Sequence, residues 1–164
     1  QDVTQHRQDK WVGHFNADKH KDLEAFGKTT GLRRHEMAVV APGDIWEDEE
    51  GRVIVHVVRG KGGKERFVEA LDDTPLVLAQ KAREEGQKRI FEKIHKYAPI
   101  HEWRAEFARE TYCRHARPLK EIPLKERYIC RKDKAGTVYD VKAMLQTSKA
   151  LGHGRADVIA LSYL

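Results

Sequence analysis

Between Arg52 and Val58 the chain runs through β-branched residues, breaks at Gly60-Lys61-Gly62-Gly63, and resumes as a second strand-like run from Glu65 to Ala70. Two such runs joined by a glycine-rich turn spell an antiparallel hairpin. The segments around it are helical in pattern. Asn16 is placed to cap a helix over 17–30 with Leu23 and Phe26 inward, and Gly31 ends it. A short helix follows from about Arg33 to Val39 and stops at Pro42-Gly43. Asp73-Thr74-Pro75 starts a highly charged helix over about 75–94. Pro99 leads into a helix over about 101–116, on which Trp103, Phe107 and Tyr112 recur at helical spacing, and Pro118 ends it. Tyr128-Ile129-Cys130 and Thr137-Val138-Tyr139 flank Asp133-Lys134-Ala135-Gly136 and read as a second hairpin. Helices over about 140–150 and 155–163, with Gly152 between them, complete the chain. The expected fold class is α+β, mostly helical with small antiparallel β-hairpins. Residues 1–14 read as a polar lead-in, and no internal repeat or low-complexity linker is expected.

A chain of 164 residues, 40% apolar and 35% charged, suits one domain with a core of its own. Its 31 Lys and Arg against 26 Asp and Glu leave a formal net charge of +5. That modest excess is compatible with a polyanion such as DNA, and equally with ordinary solubility charge. Cys113 and Cys130 could form one bridge, but they form no disulfide framework and no metal spacing. There is no apolar run long enough for a transmembrane helix and no signal-peptide pattern. The expected setting is therefore a reducing, cytoplasmic one with no membrane partner. The opening Gln1, in place of Met, suggests a piece of a longer protein.

Six side chains could carry chemistry. Arg33 follows the tight turn at Gly31, and Lys61 sits in the glycine-rich hairpin turn, where backbone can approach a phosphate and lysine supplies a mobile charge. The Gly-x4-Gly-Lys-Ser/Thr spacing of a nucleotide-binding loop is absent. His101 and Arg104 stand three apart at a helix start, on one face. His101-Glu102 does not continue to a zinc motif, because position 105 is Ala. His153 follows a helix end at Leu151-Gly152, and Tyr163 closes the last helix. Each has a plain structural explanation when taken alone: a surface arginine, a solvated turn, a capping imidazole, a packed aromatic. Together, two arginines, a lysine, two histidines and a tyrosine without a carboxylate pair suit a phosphate diester. Arginine forks fit non-bridging oxygens and stabilise charge growing in a pentavalent transition state. Lysine or histidine can protonate a leaving oxygen, and tyrosine can be a covalent nucleophile. No metal or other cofactor is required when side chains supply the cations.

The order and spacing of these residues resemble the catalytic domain of the tyrosine recombinases, or phage-type integrases. Thr30-Gly31-Leu32-Arg33-x-x-Glu36 is similar to the family's first-arginine box, Gly60-Lys61-Gly62-Gly63-Lys64-Glu65-Arg66 to its hairpin-lysine box, His101-x-x-Arg104 to its His-x-x-Arg box, and Leu151-Gly152-His153 followed by Tyr163 to its final box. The resemblance spans residues 30–163. It implies that Arg33 and Arg104 clamp a scissile phosphate, Lys61 is the general acid at the 5′-oxygen, His101 assists proton transfer, and His153 hydrogen-bonds the phosphate. Tyr163 would attack to give a 3′-phosphotyrosyl link and a free 5′-hydroxyl, with no ATP, metal or cofactor. Glu36 is read as structural, holding a neighbouring loop.

The final box departs from the commonest family spacing by one extra residue between His153 and Tyr163, which turns a helical side chain by about 100°. The stretch from Arg104 to His153 is longer than in compact members, and the second hairpin fills it. This is more like the integrases of conjugative transposons or similar mobile elements. The resemblance also implies partners: double-stranded DNA, and self-association on it into a tetrameric synapse for the full-length protein, the isolated domain being monomeric. Family members carry an N-terminal core-binding domain, so residues 1–164 are expected to be the C-terminal catalytic half. Two alternatives stand beside this one. A type IB topoisomerase has a similar active site, and a catalytically inactive DNA-binding module would keep the fold without the chemistry.

Overall fold

The computed structural model describes residues 15–155 and 163–164. Asn16 accepts a hydrogen bond from the Asp18 amide at 3.0 Å and so caps a 3-10 turn, Ala17–His20, rather than the α-helix itself. Helix α1 runs Lys21–Thr30, with Asp22 and Glu24 in its first turn where the helix dipole favours acids. Leu23 and Phe26 face inward as expected. Gly31 ends the helix at φ 63°, its amide donating to the Gly27 carbonyl at 2.9 Å. Helix α2 is short, Arg34–Val39.

The first hairpin forms, and it gains a partner that the sequence pattern did not suggest. Strands β1 (Ile45–Glu47), β2 (Val53–Val57) and β3 (Arg66–Glu69) make an antiparallel sheet in the order β1-β2-β3. Register places Ile45 and Val68 on either side of Val55, so all three meet on the buried face. Alternation along β2 buries Val53, Val55 and Val57 and leaves Ile54 and His56 half-exposed. Three residues are too few for β1 to declare a period, which is why only the sheet reveals it. On the outer face Trp46, His56 and Phe67 stack together.

Helix α3 is Thr74–Glu84, well short of the span expected to reach residue 94. The physical reason is a closed helix end. The amides of Gly86 and Gln87 turn back onto the carbonyls of Arg83 and Ala82 at 3.1 and 2.8 Å. The chain then crosses the domain irregularly. It buries Ile90, whose amide bonds the Val40 carbonyl, and sets Phe91 edge-on to Phe26. Part of the charged composition that resembled a solvated helix, Lys88, Arg89, Glu92 and Lys93, belongs to this crossing.

Helix α4, Ile100–His115, is the longest. Trp103 and Phe107 anchor it in the core, Phe107 fully buried. It packs against α1 and against helix α5, Val141–Ala150. The second hairpin forms as expected from β4 (Arg127–Ile129) and β5 (Val138–Asp140), with Tyr128 opposite Tyr139. A short tandem repeat does occur before it, contrary to the reading of the sequence. Pro118-Leu-Lys-Glu and Pro123-Leu-Lys-Glu adopt the same geometry, each Pro at φ −56° and ψ 144° and each starting a 3-10 turn. A five-residue period is shorter than any repeat that marks a domain architecture. Leu119 and Leu124 both stay exposed.

The segment 117–140 is clipped at its base. The buried Asp140 carboxylate accepts from Arg117 Nε at 2.8 Å, Arg117 Nη2 at 2.7 Å and the Arg117 amide at 3.1 Å. It also caps α5 through the Lys142 amide at 3.0 Å, and the Asp140 amide donates to the Tyr112 hydroxyl at 2.9 Å. These bonds hold the Asp140 carboxyl far below the usual carboxylate range, the hydrogen bond from Arg117 dominating.

The α+β class stands: helices around a three-stranded sheet, with a two-stranded hairpin apart from it. Cys113 and Cys130 are both free. Among the described residues no helix is long and apolar enough to cross a membrane. The lead-in 1–14, and most of the helix expected over 155–163, lie outside the described residues.

Candidate functional site

Residues from four separate segments meet at one end of the α4–α5 pair. Arg33 is the N-cap of α2, two residues after the Gly31 turn, and its backbone amide donates to Glu36 Oε1 at 2.8 Å. Arg104 lies one helical turn into α4 and is buried, 5% exposed. A guanidinium so deep needs acceptors, and it has two: Gly31 O at 2.5 Å and Leu151 O at 3.0 Å. Both acceptors are backbone carbonyls, so the arginine keeps its full charge. Burial lowers the Arg104 pKa, and the Tyr163 hydroxyl beside it pulls the other way. Arginine remains a cation throughout.

His153 is carried past the end of α5 by Gly152, at φ 87°, and its amide closes the helix end on Ser148 O at 2.8 Å. Gly152 lies against the arginines. A β-carbon there would fall 2.7 Å from Arg33 Nη1 and 3.1 Å from Arg66 Nη1. Tyr163 is buried, and its ring lies 5.3 Å from the His101 ring and 6.4 Å from the His153 ring, centre to centre. Its centre is also 6.0 Å from the Arg104 guanidinium carbon. The extra residue between His153 and Tyr163 does not keep the tyrosine out of the cluster.

His101 is exposed on the first turn of α4. Lys61 is exposed too, in the 3-10 turn Lys61–Gly63 at the tip of the first hairpin. Its charge is nevertheless felt at His153. Burial first, then Arg33, Arg104, Lys61 and Arg66, hold the His153 imidazole below its ordinary value. Five of the six residues singled out in the sequence, Arg33, His101, Arg104, His153 and Tyr163, come together in one cationic site, while Lys61 stays exposed at the hairpin tip.

Two atoms define what this site can bind. Arg33 Nη2 and His153 Nε2 are buried, and among the described residues neither has a hydrogen-bond partner. Orphaned polar atoms cost free energy unless something accepts from them. A guanidinium N–H and an imidazole nitrogen set among further cations suit an anionic oxygen. Among the described residues no group of His, Cys, Asp and Glu is arranged to hold a metal ion.

One residue was seen in the sequence but given no role. Arg66, at the start of β3, donates from Nη1 to Glu36 Oε2 at 2.5 Å and from Nη2 to Glu36 Oε1 at 2.8 Å. Its Nε donates to Ala150 O at 2.9 Å. Glu36 is therefore structural, as its place in the first box suggested, and what it holds is the foot of the first hairpin. Burial pushes the Glu36 carboxyl up, but the bonds from Arg66 and from the Arg33 amide outweigh it and leave the group below its usual range. A charged position ending a glycine-rich turn was the only available signal for Arg66.

Comparison with protein-family models, curated proteins and solved structures returns no match for this chain. The reading of the site rests on its residues and their geometry.

Proposed function

We propose that the chain is the catalytic domain of a DNA strand-exchange enzyme, a tyrosine-type site-specific recombinase or integrase. The observation that carries this is the gathering of Arg33, His101, Arg104, His153 and Tyr163 around two buried nitrogens that have no hydrogen-bond partner among the described residues. Arg33 and His153 bind the non-bridging oxygens of a phosphodiester. Arg104 holds the floor of the site and adds charge that opposes the growing negative charge at phosphorus. The Tyr163 oxygen attacks phosphorus and its proton passes to His101. The bond from phosphorus to the 5′-oxygen breaks, and that oxygen takes a proton from Lys61. A 3′-phosphotyrosyl link and a free 5′-hydroxyl result. Attack by another 5′-hydroxyl reverses the step and releases Tyr163, so the phosphodiester energy is conserved without ATP.

The partner is double-stranded DNA, with self-association on it in the longer protein, and the location follows the DNA in the cytoplasm. The chain should be incubated with random-sequence duplexes carrying a nick near the cleavable phosphate, so that the short product is lost and the covalent complex is trapped. The expected result is a denaturation-resistant protein–DNA adduct that maps to Tyr163 and is absent in Tyr163→Phe. An adduct that persists in Tyr163→Phe, or none across the whole pool, overturns the reading. Relaxation of supercoiled plasmid without site preference would move it to the topoisomerase class.

A further inference from the structure

Glu36 has two arginine neighbours, and they are not equivalent. Arg66 faces its carboxylate as a fork, at 2.5 and 2.8 Å. Arg33 Nη1 stands 3.5 Å from Oε2, at the edge of hydrogen bonding. Forked, charge-assisted bonds at short range are the strong ones. The carboxylate is therefore matched by Arg66. The Glu36 side chain is completely enclosed, 0% exposed, so water cannot take over from an arginine. The third donor of Arg66 goes to Ala150 O, which ties the hairpin to the end of α5 just before Gly152 and His153.

We infer that Arg66 is a positioning residue: by saturating Glu36 it keeps the Arg33 guanidinium free for an anionic oxygen. The inference rests on the proposed phosphate chemistry only for the identity of that anion. Without the Arg66 charge, the enclosed carboxylate would keep only the long contact to Arg33 at 3.5 Å. An unpaired buried charge is costly enough to move a side chain. Arg33 is already beside it, and a small swing brings Arg33 into the forked position. The captured arginine then no longer offers Nη2 to a ligand. Arg66 would thus act on the anion without touching it.

The capture has a signature that lost packing lacks. Removing Arg66 should hurt, and removing the Glu36 charge as well should undo much of the harm, because nothing remains to capture Arg33. Inorganic phosphate is the probe, followed through the side-chain NMR signals of Arg33 and His153 in the whole chain. Arg66→Gln should weaken phosphate about tenfold, and Arg66→Gln/Glu36→Gln should return to within about threefold of the parent, a coupling typical of residues in direct contact. A double variant as weak as the single one overturns the inference, and so does a parent chain that binds no phosphate. If Arg66→Gln fails to fold, Arg66→Lys decides. It keeps the charge but not the fork, so binding within about threefold of the parent supports the inference; if binding drops, recovery on adding Glu36→Gln supports it and no recovery sinks it. The nicked-duplex assay run in parallel separates the two ideas. Phosphate rescue without any adduct leaves Arg66 in its role and removes the recombinase. An adduct in the parent without rescue does the reverse.

Discussion

Arg104 donates to the carbonyl oxygen of Leu151 at 3.0 Å, so an arginine on α4 fixes the residue from which Gly152 and His153 depart. Its other tie is the Gly31 carbonyl, immediately before Leu32 and Arg33. One guanidinium thereby sets the spacing between the segment bearing Arg33 and the segment bearing His153. Arg104→Met fills similar space but leaves two buried carbonyls without donors. Each such loss costs about 1–3 kcal/mol. A fall of about 2–4 kcal/mol in unfolding free energy by urea titration is the expected outcome, together with a shift of the His153 ring signals.

Gly31→Ala should be among the most damaging substitutions in the chain. The backbone there is left-handed at φ 63°, and a β-carbon would meet Phe107 Cδ1 at 2.4 Å and Leu151 Cδ2 at 3.0 Å. Phe107 is fully buried and has nowhere to retreat. Backbone strain and overpacking each cost about 1–3 kcal/mol. Thermal unfolding lowered by about 6 °C or more would agree with this, at roughly 2–4 °C per kcal/mol for a chain of this size.

Gly152→Ala separates function from stability. The nearest atoms to its missing β-carbon are the guanidinium ends of Arg33 and Arg66, long side chains that can shift. The left-handed backbone makes the change cost about 1 kcal/mol, but the displaced group is Arg33. Phosphate binding should fall severalfold while the unfolding midpoint moves only a few degrees.

His153 gives a pH dependence whose sign is fixed by its surroundings. Burial and four neighbouring cations favour the neutral ring, so its folded value lies below the ordinary 6.5. The unfolded chain then takes up the proton first as pH drops. The stability contributed by neutral His153 is present above about pH 6.5 and declines as pH falls through the lowered value. A bound phosphate or DNA phosphodiester reverses the local field and should raise the value. NMR titration of the His153 ring, free and with phosphate, checks both directions. A value that does not move with phosphate would place the anion elsewhere.

The Tyr163→Phe comparison described above can be extended with salt. DNA affinity should fall linearly on a log–log plot of binding constant against salt, because each phosphate contact releases counterions. Tyr163→Phe should keep that slope while losing the adduct, since a phenol contributes no charge.

Much of this molecule could be read from residue order. The first hairpin, the α4 anchors Trp103 and Phe107, and the cap at Gly31 all follow from local signals: β-branched runs, helical spacing, a glycine after the last helical residue. The six candidate side chains were also visible, because their types and order suit one chemistry when taken together, although each has a plain structural explanation alone. What escaped was set by contacts distant in sequence. β1 is a strand because Val55 offers it a partner, and three residues carry no period of their own. Helix α3 stops early because its end closes on itself and Ile90 has a place in the core, while the charge pattern around it looks equally helical. Arg66 looked like one of many basic residues until Glu36, thirty positions away in the chain, was seen to be enclosed.

The clip between Arg117 and Asp140 joins the two ends of an excursion that includes the second hairpin. The ends are fixed to each other and to Tyr112 by bonds that involve none of the intervening residues. Closing a loop whose ends are already pinned adds little entropy with length. The excursion is accordingly a socket. Segments of other lengths and sequences could be fitted between Arg117 and Asp140, and helices α4 and α5 would still bring Arg104 and His153 to the same place.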